Sequence, residues 1–290
     1  MKTENIREWL TPTLISAFVF CPRLFFLSIF LPFDGRASPA TVLGSLEHDA
    51  FGAFDQKTRN EFFKHGVLSA DLASAISERI DSAVDCAKEI AVSNYPQFYK
   101  KIDEYIPTLK YRLQFYENER YNEAKQLITN GVPLNEVVDN VTPFAIEESV
   151  SDPHLLVRGR IDAIFKITDS NGNPHGVLRD IKSHKDRLPA WIWQQAHVTG
   201  QLGTYTLLAP KKFPDIPFND VEIFYTQNLE IERFKIDESY KDKLINIISL
   251  ARDSMYETIP PKLTGSDAIK CQFCYKRKAC FGMNDNEEIL

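Results

Sequence analysis

Three cysteines near the C-terminus have the spacing of a metal or cluster site. They are Cys271, Cys274 and Cys280 within KCQFCYKRKACFG, residues 270–282, and they form a C-x2-C-x5-C pattern. A C-x2-C pair is a common part of all-thiolate zinc sites, and iron–sulfur centres are also held by cysteine thiolates. Both kinds of site usually take four protein ligands, so the pattern predicts a fourth ligand elsewhere in the chain.

Two aspartates and a lysine suggest a second site. The turn sequence DSNGNP, residues 169–174, separates two segments that read as β-strands. Asp162 and Asp180 stand at equal distances from the middle of this turn. An antiparallel hairpin would place the two carboxylates opposite each other, where like charges repel unless a cation lies between them. Lys182 lies on the same face as Asp180, because side chains alternate along a strand.

These three side chains are the parts that phosphodiester hydrolysis needs. Carboxylate oxygens bind magnesium or manganese, and the bound metal lowers the pKa of a water molecule. A cation nearby orients that water or stabilises the charge that develops on the phosphate. The same spacing also fits an ordinary solvated strand face that carries an Asp/Lys pair, so the residues alone leave both interpretations open.

The first strand of the hairpin, HLLVRGRIDAIFKI at 154–167, has a period of two. This alternation predicts one apolar and one polar face. The apolar face is expected to carry Val157, Ile161, Ala163, Phe165 and Ile167. The opposite face is expected to carry Arg158, Arg160 and Asp162.

Further polar candidates lie on predicted helices. Gln201 and Tyr205 are one helical turn apart in AHVTGQLGTY, and His197 is one turn earlier. A Gln and a Tyr on one face can hydrogen-bond a phosphate or a metal-bound water, although a solvated Gln and a Tyr at the core edge would look the same. His48 is a borderline ligand that suits manganese as well as magnesium, or an ordinary surface or capping histidine.

Taken together and in order, these motifs resemble those of a known family. The motifs are F-C-P-R at 20–23, G-S-L-E-H at 44–48, G-R-I-D at 159–162, D-I-K at 180–182, Q-L-G-T-Y at 201–205 and the C-terminal cysteines. The central four are similar to those of RecB-like nucleases of the PD-(D/E)xK superfamily. With the flanking cysteine motifs, the set most resembles the CRISPR-associated Cas-four exonuclease family.

The resemblance implies an α+β, RecB-like restriction-endonuclease fold, with a mixed central sheet flanked by helices, a helical insertion and a terminal iron–sulfur cluster. It implies that His48, Asp162, Asp180 and the carbonyl of Ile181 bind magnesium or manganese. Lys182 would be the catalytic lysine. Gln201 and Tyr205 would shape the active site and contact DNA. Asp180 stands where many relatives have Glu, which keeps the charge but shortens the reach to the metal.

The implied function is that of a metal-dependent DNA exonuclease acting on single strands or DNA ends. In the family such an enzyme trims fragments for CRISPR adaptation, so the adaptation integrase is a candidate partner. Two alternatives stay open. One is a non-catalytic adaptor that binds DNA ends or the integrase, and the other is a recombination or repair nuclease outside CRISPR.

The family also implies that Cys21, Cys271, Cys274 and Cys280 hold a [4Fe-4S] cluster. Besides the C-terminal trio, the chain offers Cys21 and Cys86. Cys86 falls on the polar side of its predicted helix, together with Arg79, Ser82, Glu89 and Ser93. Cys21 has apolar neighbours that would exclude water from a cluster. Spacing alone does not distinguish a cluster from structural zinc, whereas the resemblance favours the cluster.

The elements that must position these residues follow from the apolar periodicity. A helix is predicted from Thr11-Pro12 toward Phe30, with Pro32 as its stop. The apolar stretch 14–33 reads as a buried helix rather than a membrane anchor, because Pro22 and Arg23 occupy its middle.

The other predicted elements follow the same reasoning. A second helix opens at Gly44-Ser45, and helical periods recur from Ile76 to Ala91 and from Tyr95 to Leu109. After the hairpin, Pro189 precedes a helix through Leu208, Val221–Thr226 reads as a strand and Glu238–Thr258 as a helix. Residues 1–51 and 145–290 are assigned to the nuclease domain, and residues 52–144 to a helical insertion.

The bulk composition restricts the class of protein. The chain has 290 residues, of which 43% are hydrophobic, so it can bury a substantial core. Its net charge of -6 provides no global attraction for nucleic acid or anionic lipid, so DNA contact must come from local patches. Five cysteines, three of them crowded together, favour a reducing, cytoplasmic location with a metal site. A homo-oligomer is compatible with these data.

Overall fold

The computed structural model describes residues 9–31, 37–65, 75–168, 173–183, 190–256 and 258–282. The helices are α1 (Pro12–Phe20), α2 (Pro22–Phe30), α3 (Pro39–His65), α4 (Ile76–Asn94), α5 (Tyr99–Thr129), α6 (Leu134–Val141), α7 (Ala190–Trp193), α8 (Gly203–Lys212), α9 (Glu238–Asp253) and α10 (Arg277–Gly282). A π-helix, Gln194–Leu202, joins α7 to α8. The strands are β1 (Ala145–Asp152), β2 (Val157–Thr168), β3 (Pro174–Lys182), β4 (Phe218–Tyr225) and β5 (Glu230–Lys235).

The five strands form one mixed sheet in the order β1-β2-β3-β4-β5. Neighbouring strands are antiparallel except β3 and β4, which are parallel. On one side of the sheet, α1, α8 and α9 pack in a cluster that includes Leu178. On the other side, α3, α4 and α5 pack against Ile181 and Phe224. The predicted α+β fold with a mixed central sheet between helices is therefore confirmed.

The β2–β3 hairpin has the predicted register. Ala163 pairs with Arg179 and Thr168 with Pro174, so both strands are centred on the turn as its sequence implied. Residues 169–172 of that turn lie outside the described residues. If this register is extended by one residue pair, Asp162 lies opposite Asp180.

The predicted apolar face of β2 is wrong in one respect. Val157 and Ile161 pack with Ile164 in one cluster, whereas Ala163 and Phe165 belong to another. The alternation thus changes face at Asp162. The β1–β2 ladder runs from Ile146↔Ala163 to Glu148↔Ile161 and leaves Glu147 and Asp162 unpaired, and Glu147 has a positive φ of 53°. A local irregularity of this kind re-aims the side chains that follow it.

The single helix predicted from Thr11 toward Phe30 is two helices. Cys21 lies between them in an extended conformation, with φ -165° and ψ 119°. Pro22 explains the break, because a proline disfavours the helical region for the residue before it. Thr11 caps α1 by accepting a hydrogen bond from the amide of Leu14. None of the described helices is both long and apolar enough to span a membrane.

The second helix begins at Pro39, before the predicted start at Gly44, and it continues past residue 51. The helical periods predicted after it correspond to α4 and α5, with Tyr95 and Phe98 in the connection between them. Helix α3 therefore crosses the boundary proposed at residue 52. The assignment of residues 52–144 to an insertion stays a proposal.

The strands β1 and β5 were not predicted. Their sequences, AIEESVSD and EIERFK, are rich in charged residues and give a weak strand signal. The predicted strand Val221–Thr226 corresponds to most of β4, and the last predicted helix corresponds to α9. The side chain of Asp237 caps α9 at the amide of Tyr240.

Charged side chains form a buried network behind β3. Arg179 donates to Glu222 at 2.6 Å and, through Nη1, to the hydroxyl of Tyr116 at 2.9 Å. Arg79, which the sequence placed on the polar side of α4, is buried and paired with Glu117 at 2.8 Å. Each charge is compensated by a partner, as buried ions must be. The network ties α4 and α5 to the sheet directly behind the strand that carries Asp180.

Candidate active site

His48 and Asp162 are brought together by α3 and β2. The Nε2 atom of His48 lies 3.0 Å from Oδ1 of Asp162, and its Nδ1 atom lies 3.1 Å from Oε1 of Glu147. One ligand atom from each of these three residues lies within 4.8 Å of the others. Within the described part of the chain, this is the group of three or more His, Cys, Asp or Glu side chains compact enough to hold one metal ion.

Glu147 was not among the residues predicted from the sequence. It lies on β1 at the position where the β1–β2 ladder is interrupted, opposite Asp162, and its positive φ turns it toward His48. The Nε atom of Arg160 lies 2.5 Å from its other oxygen. Backbone strain of this kind at a non-glycine residue is often found at functional sites. The sequence shows Glu147 only as one acidic residue in a charged segment. That segment cannot be recognised as a strand until it is seen to pair with β2.

Asp180 and Lys182 lie next to this group, on β3. Asp180 is 5% exposed, and its Oδ2 atom is 2.8 Å from the Nζ atom of Lys182. Gln201 donates to the other oxygen of Asp180 at 3.1 Å. The amide of Ile181 donates to Oδ2 of Asp162 at 2.7 Å, which connects the two strands at this point. Direct contacts thus link Asp162 to His48 and to the amide of Ile181, and Asp180 to Lys182 and Gln201, whereas the compact three-residue group does not include Asp180.

The pKa shifts of the three acidic residues differ in direction. Burial favours a raised pKa for Asp162, but the hydrogen bond and charge of His48 and the amide of Ile181 lower it overall. Burial raises the pKa of Asp180, and the charge of Asp162 adds to this, against the effect of Lys182. Burial also raises the pKa of Glu147.

His48 is strongly basic in this setting. Burial alone would lower the pKa of its imidazole. Hydrogen bonds to Asp162 and Asp49, together with the charge of Glu147, instead raise the pKa to about 10. A protonated His48 therefore balances the carboxylates in the metal-free protein, and a divalent cation would take over that charge.

Tyr205 completes one wall of the site. Its hydroxyl donates to the carbonyl of Arg160 at 2.7 Å, and burial raises the pKa of this hydroxyl above its usual range. Gly159 allows the approach, because a Cβ atom there would lie 2.8 Å from the Tyr205 ring and 2.9 Å from Pro12. His197 does not join the site. It lines a separate cavity beside Phe273, although it lies one turn before Gln201.

Glu47 ties the site to α5. Its carboxylate accepts hydrogen bonds from Tyr105 and Arg112 of α5, and from the hydroxyl of Thr226 at 2.8 Å. The amide of Thr226 donates to the carbonyl of Lys182 at 2.9 Å. Glu47 precedes His48 on α3, so one buried carboxylate links α5 to both sides of the candidate site.

The four cysteines that the resemblance singles out line one small cavity. Cys21 meets Cys271, Cys274 and Cys280 there, at the break between α1 and α2. The cations Arg23, Lys262 and Arg277 line the same cavity. Burial and neighbouring thiols raise the pKa of Cys274 to about 11, and burial is the main cause of the raised pKa of Cys21. Cys86 is exposed on α4.

The spacing of the thiols bears on which group they could hold. In a tetrahedral zinc site the sulfur atoms lie about 3.8 Å apart, given zinc–sulfur bonds of about 2.3 Å. Among the described residues, no three cysteines bring their sulfur atoms within 4.8 Å of one another. A [4Fe-4S] cluster places iron and sulfide between its cysteines and holds them further apart. The four cysteines thus share one cavity with three cations, and among the described residues they lack the close spacing of a tetrahedral zinc site.

Comparison with known proteins agrees with this geometry. The sequence model of the PD-(D/E)XK nuclease superfamily matches residues 10–281, nearly the whole chain. The chain belongs to the PD-(D/E)XK nuclease superfamily. Nucleases of this superfamily use divalent metal ions, and the group of His48, Glu147 and Asp162 provides a possible site for one.

One similar protein is DNA replication ATP-dependent helicase/nuclease DNA2 of Saccharomyces cerevisiae. It is 21% identical to this PD-(D/E)XK chain over an alignment of 276 positions, and the aligned region covers 87% of the chain. The aligned region is 16% of the yeast protein, so the chain spans a small part of that relative's length.

Proposed function

We propose that this PD-(D/E)XK chain is a metal-dependent DNA exonuclease that acts on single strands or DNA ends. The observation that carries the proposal is the position of Asp162 and Asp180 at one end of adjacent strands, with Lys182 bonded to Asp180 and His48 bonded to Asp162. A DNA-binding module without catalysis has no need for the buried Asp180 beside a second, partly buried carboxylate, Asp162, because such a pair is costly unless it serves a cation.

Each residue has a proposed role. His48, Asp162, Asp180 and the carbonyl of Ile181 would hold magnesium or manganese, and Glu147 would be a further ligand. The metal supplies an activated water and stabilises charge on the phosphate. Lys182 would orient that water or neutralise charge at the reacting phosphorus. Gln201 would fix Asp180, and Tyr205 would shape the pocket from the side of Arg160.

The proposed biological role and cofactor rest on the order of the sequence motifs. Their resemblance to the Cas-four family supports trimming of DNA fragments for a CRISPR integrase, and the cavity lined by Cys21, Cys271, Cys274 and Cys280 supports a [4Fe-4S] cluster. In that role the cluster would hold the two ends of the chain together around the nuclease core. Loop-closure entropy grows only logarithmically with chain length, so the long separation is no obstacle.

A second candidate is a nuclease of DNA replication, recombination or repair. The similarity to the yeast helicase/nuclease favours this assignment, because that match needs no CRISPR context. Both candidates share the same site and the same chemistry. They differ in the partner, and co-purification with an adaptation integrase or with a helicase separates them.

The decisive experiment measures magnesium- or manganese-dependent degradation of end-labelled single-stranded DNA. Asp180→Ala and Lys182→Ala should each lower the rate by about 100-fold or more while the protein stays folded. Lys125→Ala, at an exposed position of α5, is the matched control and should retain full activity. Full activity in both site variants would refute the assignment. DNA binding without cleavage, under any divalent metal, would favour the adaptor.

The cluster is tested separately by purifying the protein without oxygen and measuring iron, zinc and visible absorption. Cys21→Ser should abolish the iron content and the broad absorption of the cluster. Cys86→Ser should change neither, because Cys86 is exposed and lies apart from the cysteine cavity. Zinc in place of iron, or loss of the metal in the Cys86 variant alone, would contradict the assignment.

A further inference from the structure

A second cavity, of about 410 Å3, lies between α1 and the C-terminal cysteine segment. Ser16 and Phe20 of α1 form one side, and His197 of the π-helix forms another. Phe273 and Tyr275, which flank Cys274, close it. The lining is mainly apolar, but it includes hydroxyl groups and an imidazole that can form hydrogen bonds.

Two of the three aromatic residues that line the cavity are accessible to solvent, whereas Phe20 is buried. Phe273 is 38% exposed and Tyr275 is 67% exposed. The hydroxyl of Tyr275 is 2.9 Å from Oγ of Ser28, so the ring is fixed from its polar end while its faces stay accessible. Fixed, exposed rings of this kind offer flat surfaces on which planar groups can stack.

The segment that carries Phe273 and Tyr275 is rich in basic residues. KCQFCYKRKACFG contains four cations and no acid, in a chain with a net charge of -6. Lys276 donates to the carbonyl of Leu31 at 3.1 Å, whereas Lys278 is exposed. Lys270 is buried and paired with Asp267, so the exposed charge that follows Tyr275 comes from Arg277 and Lys278. This charge complements an anionic backbone rather than an apolar peptide or a neutral lipid.

The cavity adjoins the candidate active site through one helix. His197 faces the cavity, and Gln201, four residues later on the same π-helix, bonds to Asp180. Four residues advance at most about 6 Å along a helix axis. Ser16 also packs closely on this helix, because a Cβ atom at Gly200 would lie 2.8 Å from its Cα atom.

We propose that this cavity binds an unpaired base of single-stranded DNA, stacked on Phe273 and Tyr275, with the adjacent phosphates on the basic segment around Lys278. Aromatic stacking combined with a cationic track is the general way in which proteins hold single strands. A base that is paired within a duplex cannot enter the cavity, so the site selects single strands next to the metal site. The inference rests on the proposed nuclease function for the nature of the ligand.

The test is the affinity for a fluorescent oligothymidylate, measured by anisotropy in EDTA so that no cleavage occurs. Phe273→Ala should weaken binding about five- to 100-fold, the usual effect of removing one stacking partner. Tyr111→Ala, at an exposed aromatic of α5, is the matched control and should bind like the wild type. An unchanged affinity in Phe273→Ala would overturn the proposal.

An abasic oligonucleotide of the same length separates stacking from charge. It should bind the wild-type protein at least as weakly as Phe273→Ala binds the natural strand, and Phe273→Ala should bind the abasic strand no more weakly than the wild type does. Equal wild-type affinity for the abasic and natural strands would overturn the base site. Photocrosslinking with 5-iododeoxyuridine gives a readout that needs no variant, and the crosslink should map to Phe273 or Tyr275.

Hydrolysis of a small chromogenic phosphodiester distinguishes failure of this inference from failure of the proposed function. Such a substrate reaches the metal site without filling the cavity, so Phe273→Ala should hydrolyse it at the wild-type rate. Hydrolysis with no effect of Phe273→Ala on DNA binding would overturn only the cavity proposal. No hydrolysis and no cleavage of DNA by the wild-type protein would overturn the proposed function and, with it, this inference.

Discussion

Asp162 and Asp180 stand at the same end of the β2–β3 hairpin, yet the pKa of Asp162 is lowered and that of Asp180 is raised. Asp162 accepts hydrogen bonds from His48 and from the amide of Ile181, which stabilise its charge. Asp180 is more deeply buried and faces the charge of Asp162. A metal ion that binds here would therefore displace protons from the site, because its ligands must be deprotonated.

The first prediction concerns the pH dependence of metal affinity. His48 has a pKa of about 10 in the metal-free protein, so it carries a proton at neutral pH. Magnesium must displace that proton, and the apparent dissociation constant should fall about tenfold per pH unit between about pH 6 and 8. Calorimetry in buffers of different ionisation enthalpy measures the released proton. His48→Gln should release one proton fewer and show a shallower dependence.

His48 should also make the stability of the metal-free protein depend on pH. This stability should fall with rising pH, whereas the metal affinity should increase. The raised pKa of His48 means that its protonated form stabilises the fold below about pH 6.5, its ordinary pKa. That contribution is lost as the pH rises toward about 10. The stability of the wild type relative to His48→Gln should therefore fall over this window. A constant difference would show that His48 is neutral throughout.

The second prediction concerns Glu147, whose carboxylate lies close enough to His48 and Asp162 for all three to bind one metal ion. Glu147→Gln removes a charge from the proposed metal site, so the dissociation constant for magnesium should rise about tenfold or more. Glu148→Gln is the matched control on the same strand, because Glu148 pairs with Lys212 instead. If Glu147→Gln binds metal like the wild type, Glu147 is not a ligand.

The third prediction concerns the hydrogen bonds by which Glu47 connects α5 to the candidate site. Thr226→Val removes the hydroxyl that bonds to Glu47 and should lower the turnover number about tenfold with an unchanged KM, because small displacements of catalytic groups slow the chemical step. Thr142→Val removes another buried hydroxyl, bonded to the carbonyl of Val138, and should affect stability alone. Equal turnover in both variants would mean that the tie is merely structural.

The fourth prediction concerns the buried network behind β3. Glu222 is paired with the buried Arg179 and with Arg233, whose side chain is 73% exposed. Arg179→Leu should lower the free energy of unfolding by about 3–5 kcal/mol, because it leaves Glu222 buried without that partner. Arg233→Ala should cost less than about 1 kcal/mol. Denaturant unfolding of both variants checks the ranking, and similar losses would contradict it.

Several features of this protein could be predicted from the sequence because they depend on local order. The symmetric spacing of Asp162 and Asp180 about one turn fixed the hairpin register, since antiparallel strands are paired outward from their turn. The helical periods of α4 and α5 were equally readable. The break before Pro22 follows from a local rule as well, although the apolar run around it suggested one continuous helix.

Other features were decided only by the tertiary structure. Glu147 acquires its place because β1 pairs with β2, and β1 has too many charged residues to be recognised by itself. The separation of His197 from Gln201 and the burial of Arg179 and Glu222 depend on which helices cover the sheet. Periodicity specifies which side chains share a face. Only packing between segments distant in sequence decides what that face meets, and those contacts place His48 and Glu147 beside Asp162.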